Sequence, residues 1–329
     1  MRPVTMFTGQ WADMPFDTLC SKMSSWGYDG LEIACWGEHL NIDKAVESDA
    51  YVRGLKDAME KYHLQCHAIG NHLAGQLVCS RNDERFDVFA PAELHGQPEK
   101  MRAWAIDQMK KAAVVARLLG ASVVTGFTGS SIWEGWYSFP PVSDEWIEAG
   151  YTQFADLWNP ILDVYEQNGI KFALEVHPTE IAFDYWTTVR TLDAIKHRPS
   201  FGINFDPSHL YWQGIAPDQF IYDFKDRIYH VHMKDAMLNP GPRGGLLGSH
   251  ITFGDMRRGW NFVSLGRGGV NFERIIRALN DIGYEGPLSV EWEDSGMERE
   301  AGAQEALAFV RRMDFKKSGV AFDKAMSNN

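Results

Sequence analysis

Two hydrophobic rhythms alternate along the 329-residue chain. Short, nearly continuous apolar runs bounded by Gly, Pro and Asp read as strands buried on both faces. Longer stretches with apolar positions three and four apart read as amphipathic helices. The pattern predicts strands over 3–9, 30–35, 65–72, 122–129, 171–178, 201–209, 228–235 and 286–294. Helices are predicted over 15–26, 50–62, 98–119, 144–168, 186–197, 217–226, 271–282 and 298–312. Gly120, Gly169 and Gly283 follow helical stretches, where left-handed caps are expected.

Strict alternation over eight units predicts an α/β fold with a parallel sheet, closed as one (β/α)8 TIM barrel over residues 1–329. An open doubly wound sheet is the alternative, but no Gly-x-Gly-x-x-Gly follows the first strand. Segments 73–97, 130–143 and 236–270 exceed ordinary connections. All three follow strands, so they belong to the C-terminal face, where barrels build active sites. They are expected to cover a pocket, with subunit contacts as the other use. Segment 236–270 in particular is expected to close over it, bringing Trp260 and Arg257 or Arg258 to face the site.

Composition narrows the function. With 45% hydrophobic and 23% charged residues the chain can bury a large core. Its 32 Lys and Arg against 44 Asp and Glu give −12, which argues against binding a nucleic acid backbone. The opening MRPVTMFTGQ has no apolar core of a signal peptide, and no run approaches a membrane span. Cys20, Cys35, Cys66 and Cys79 are scattered without a paired motif, so reduced thiols and a cytoplasmic location are expected.

Candidate chemistry begins with FALEVHPTE, where Glu175 and His177 share one face of a strand. Glu175, Asp206, His232 and Glu291 all fall near the ends of the last four predicted strands. In a parallel barrel those ends converge, and three carboxylates there repel one another without a cation. Such a donor set suits Mn²⁺, Mg²⁺ or Co²⁺. The plainer reading makes each a solvated strand-end residue. His230, Lys234 and Glu293 accompany these residues at period two, and His209 follows Asp206 by three. Lys234 could neutralise a developing alkoxide or pair with Asp235 or Glu291, whereas His230 reads as a core histidine.

Further candidates line the expected mouth. Trp36, Trp133, Trp136, Trp212 and Trp260 lie after strands or in long loops, placed for stacking on a ligand or for packing. Glu32, Asn71 and His72 are candidate pocket liners from the second and third strands. Arg257 and Arg258 either clamp an anionic group or pair with Asp255. No Gly-rich helix entry marks a phosphate site, so a neutral ligand is expected over a phosphorylated one.

The motifs ALEVHP, NFDPSHL, HVHMKD and LSVEWED, in this order, resemble the sugar phosphate isomerase/epimerase superfamily with the xylose isomerase-like barrel. GYDGLEI at the second strand extends the similarity over nearly the whole chain. The resemblance implies one divalent metal ion, Mn²⁺ first, held by Glu175, Asp206, His232 and Glu291. It makes Glu175 and Glu291 the acid/base pair acting on a metal-stabilised ene-diolate, and Lys234 is the third expected catalytic residue. His177, His209, Trp36, Asn71, His72, Arg258 and Trp260 are the expected substrate-binding residues. The expected activity is isomerisation or epimerisation of a sugar or keto-sugar. The alternative is a lyase or dehydratase, such as one eliminating the aglycone of a 3-keto-glycoside. A silent sugar-binding barrel is the third reading. The long segments 73–97 and 236–270 depart from smaller members and leave the substrate open. Beyond the small-molecule substrate, a homo-oligomer or a small partner subunit fits the class. A related endonuclease is disfavoured by the −12 charge.

Overall fold

The computed structural model describes residues 1–239 and 243–319. Eight parallel strands close a barrel: β1 Val4–Phe7, β2 Gly30–Ala34, β3 Gln65–Gly70, β4 Val123–Gly126, β5 Lys171–Glu175, β6 Phe201–Phe205, β7 Ile228–Met233 and β10 Leu288–Val290. They neighbour one another in sequence order, and β1 pairs with both β2 and β10 to seal the ring. Two further strands, β8 Asp235–Leu238 and β9 Trp260–Val263, form an antiparallel hairpin apart from the barrel.

Helices surround the sheet. They are α1 Phe16–Trp26, α2 Ile42–Glu47, α3 Asp49–Lys61, α4 His72–Cys79, α5 Pro98–Leu119, α6 Asp144–Asn168, α7 Tyr185–Ala194, α8 Pro207–Trp212, α9 Pro217–Asp223, α10 Phe272–Asp281 and α11 Arg299–Met313. Helix α5 shows why these stretches coil. Pro98 starts it, Met101, Ala105, Met109 and Ala112 bury one stripe, and Gly120 stops it at φ 85°.

Period two sorts the strand residues. Leu31, Ile33, Phe172, Leu174, Val231, Met233, Leu288 and Val290 join the main apolar core. The alternate positions turn into the barrel. Ala68, Val123 and Ala173 form a small apolar group there, while Glu32, Thr125, His230 and Ser289 form a hydrogen-bonded polar one. Residues 175, 206, 232 and 291 hold the same inward parity, so the strand pattern delivers them to one place.

Several elements differ from the sequence reading. The strands expected over 65–72 and 201–209 stop at Gly70 and Phe205. Pro207 lacks the N–H a ladder needs and instead opens α8, capped by Asp206, whose Oδ1 accepts the Ser208 N–H at 2.7 Å. Segment 73–97 contains most of α4 and two 3₁₀ turns rather than irregular loop. The strand expected over 228–235 breaks at Lys234, where pairing passes from the barrel to the hairpin. Residues 240–242 of the long loop and 320–329 of the expected domain lie outside the described residues. The four cysteines are free, and no described helix is long and apolar enough to cross a membrane.

Candidate metal centre and cavity

Glu175 ends β5, Asp206 caps α8, His232 lies in β7 and Glu291 follows β10. Each offers one donor atom, and the four atoms lie within 4.8 Å of one another, all buried. Asp206 Oδ1 is occupied by its cap, whereas Oδ2 is buried without a hydrogen bond. Glu291 Oε2 lies 2.9 Å from His232 Nδ1 and 3.2 Å from Lys234 Nζ, but neither contact has hydrogen-bond alignment. Two orphaned carboxylate oxygens turned into a ring of donors fit a divalent cation.

Electrostatics follow from burial and these neighbours. Burial pushes the Asp206 carboxyl up to about 6 against the pull of His209 and Lys234. Burial also raises Glu291, but Lys234 and His232 bring it down to about 2. For Glu175, burial is outweighed by contacts from His209, His232 and His72, which hold it well below the ordinary range. His72 Nε2 stands 3.2 Å from Glu175 Oε2, and His209 Nε2 stands 3.1 Å from Oε1. Each oxygen of this carboxylate therefore has an imidazole beside it.

Beneath the centre lies Glu32, fully buried. It accepts from Ser289 Oγ at 2.6 Å, His230 Nε2 at 2.8 Å, His232 Nε2 at 3.0 Å and the Thr125 hydroxyl. The expectation that Glu32 lines the pocket is corrected: its strand position is one layer too deep. His230 is the satisfied core histidine that its position implied. Sequence reasoning missed Asn204, whose Nδ2 lies over the His232 ring and 3.3 Å from Glu175 Oε2. Its inward parity two residues before Asp206 was the available signal.

Above the centre is a cavity of about 720 Å³. Near the donors it is walled by His72, His177, His209 and Lys234, and by the rings of Phe7, Trp36 and Phe127. Burial and the adjacent His209 hold His177 well below its ordinary pKa. Lys234 lies 3.2 Å from both Glu291 and Glu293 and 4.1 Å over the Phe262 ring. Its partners are thus Glu291 and Glu293 rather than Asp235. Farther out the hairpin and α8 supply Phe253, Phe262 and the parallel pair Trp212 and Trp260, 4.5 Å apart.

Other expected liners stand elsewhere. Asn71 is buried behind the wall, its backbone N–H on Thr125 O. Trp133 packs on Phe183 at 5.2 Å, and Trp136 is half-exposed beside it. Arg257 pairs with Asp255 at 2.6 Å on the surface. Arg258 does not line the cavity: it donates to Ile251 O and lies over Phe253 and Trp260. The guanidinium braces the loop from behind, so no anion clamp forms.

Known proteins resemble this chain in sequence or in fold. Over 319 residues the chain is 27% identical to the uncharacterized protein YfiH of Bacillus subtilis (strain 168), spanning 91% of this chain and 95% of that one. The probable 3-DHS dehydratase AsbF from Bacillus anthracis superposes with TM-score 0.66 at 16% identity, over 94% of this chain and 98% of its own. The 3-keto-D-glucoside 4-epimerase YcjR from E. coli does so with TM-score 0.65 at 14% identity, over 95% and 100%. These two likenesses show the fold. Residues 20–313 match the model of the xylose isomerase-like TIM barrel, and the chain belongs to that family.

Proposed function

We propose that the protein is a divalent-metal-dependent isomerase or epimerase of a sugar or keto-sugar. The observation that carries this reading is the meeting of four buried donors within 4.8 Å at the floor of a large cavity. Glu175, Asp206, His232 and Glu291 would hold the ion, and their oxygen-rich set suits Mn²⁺ first, with Mg²⁺ and Co²⁺ as alternatives. Such an ion would supply Lewis acidity toward the substrate's oxygens and so make the C–H beside its carbonyl more acidic.

The side chains do the rest. One of Glu175 and Glu291 removes the C–H proton, and the other returns a proton at the neighbouring carbon or on the opposite face. His72 and His209, each about 3 Å from Glu175, keep that carboxylate in its proton-accepting form. Lys234, beside Glu291, offsets negative charge as it develops on the substrate oxygen. Trp36 and Phe127 offer apolar faces for sugar C–H groups and keep water from the reacting carbon.

One observation favours a second reading, elimination of the aglycone from a 3-keto-glycoside. The outer wall of Trp212, Phe253, Trp260 and Phe262 extends the cavity beyond the polar floor, giving room for an apolar substituent. The experiment is product analysis. Mn²⁺-loaded protein is incubated in deuterated water with free ketoses and, separately, with 3-keto-glycosides. Epimerised or isomerised sugar carrying deuterium is expected. Released aglycone would move the assignment to the lyase, and neither product would leave a silent sugar-binding barrel.

A further inference from the structure

Glu32 does not line the cavity and touches the donor ring only through His232, and it is fully buried at the bottom of the site. All four of its neighbours are hydrogen-bond donors toward it: two hydroxyls, from Thr125 and Ser289, and two imidazole nitrogens, from His230 and His232. A carboxylate accepts only, so the His232 nitrogen facing it must carry the proton. With Nε2 committed to Glu32, Nδ1 is the nitrogen left to coordinate an ion. That nitrogen faces the donor ring, 2.9 Å from Glu291 and 3.3 Å from Glu175. Phe7 stacks on the same ring at 5.4 Å and restrains its tilt.

We propose that Glu32 is a positioning residue that fixes the tautomer and orientation of His232, so that Nδ1 presents its lone pair to the metal. This rests on the metal centre proposed above. A ligand histidine held through its other nitrogen by a carboxylate binds its ion more tightly, because no energy is spent turning the ring or moving its proton. Glu32→Gln is nearly isosteric but places an NH₂ among donors. The amide keeps one acceptor where the carboxylate had two, so its NH₂ must face either Thr125 or the two imidazoles and the hold on the His232 ring weakens.

The test uses the full chain and Mn²⁺ alone, titrated against a competing chelator. Glu32→Gln should bind Mn²⁺ roughly 10- to 100-fold more weakly than wild type while its circular dichroism stays unchanged. Ser289→Ala removes a different partner of the same carboxylate, so it should lower stability and keep nearly wild-type affinity. Nitrogen-15 spectra of histidine-labelled wild type loaded with diamagnetic Mg²⁺, assigned with His232→Asn, should show His232 protonated at Nε2 and without a proton at Nδ1. That spectrum decides the question even if Glu32→Gln fails to fold. Wild-type affinity in folded Glu32→Gln, a proton on Nδ1, or a second ion held by Glu32, His230 and His232 would each overturn the proposal. Wild type that binds no Mn²⁺ overturns the metal centre and this role together. Equal binding by wild type and Glu32→Gln overturns this role alone.

Discussion

Single residues separate binding from proton transfer. Glu175→Gln and Glu291→Gln each keep an oxygen ligand but lose the base, so turnover should fall by about 10² to 10⁴. Substrate affinity should change far less. Metal content is measured alongside, because an amide is the poorer ligand. Near-normal turnover with metal bound would make that glutamate a ligand only, and His177 or Lys234 would be tested next. Glu180 offers a different case, away from the donors. It is fully buried and accepts the N–H groups of Thr128 and Gly129, both at 2.6 Å. Burial raises its carboxyl from 4.5 to about 7. The folded chain therefore keeps a proton that the unfolded chain has shed, and stability from this group declines as pH rises from about 4.5 through about 7. Glu180→Gln titrates no proton there. Its melting temperature relative to wild type should climb between about pH 5 and about pH 8, and a constant difference would refute the shift.

At the scale of elements, one carboxylate at the start of β8 holds the segment that follows β9. Asp235 accepts N–H groups from Gly266 at 3.0 Å, Gly268 at 2.9 Å, Val270 at 3.1 Å and Ala236 at 2.9 Å. Gly268 approaches so closely that a Cβ would meet Asp235 and Ala236. Asp235→Asn turns one acceptor into a donor facing donors, at a cost of about 1–3 kcal/mol. Urea unfolding should show that loss, and amide exchange should accelerate over 266–270. Unchanged exchange would mean the loop is held elsewhere. The hairpin also marks where the sequence stops being legible. Helices α5 and α6 occupy 98–119 and 144–168 as their periodicity predicts, because local caps bound them. Strands overran, since Asn71–His72 and Asp206–Pro207 continue the polar alternation while the chain already turns into a helix. DAML and WNFV pair only across a long excursion, which no local pattern encodes. The four donors were legible because inward parity at strand ends is a local property. The depth of Glu32 and the inward fold of Arg258 are not, since period two gives the face of a strand but not the layer.

For the whole molecule, an ion bound only by the folded chain stabilises it by about 2.7 kcal/mol at 100 times its dissociation constant. Chelation should therefore lower the melting temperature, and added Mn²⁺ should restore it. A melting curve indifferent to chelator would refute a tight site. The geometry around Asp235 bears on this protein over a longer timescale. His232, Lys234 and Asp235 follow one another within a single turn of direction, and the excursion that leaves at Asp235 is clipped back onto it by Gly266, Gly268 and Val270. Both ends of the excursion are tied at one point, outside the barrel's own strand register. It is a cassette: its length and its aromatic rings can drift under selection while the donors beneath stay in place. Substrate range should then diverge faster among descendants of such a chain than the reaction it performs.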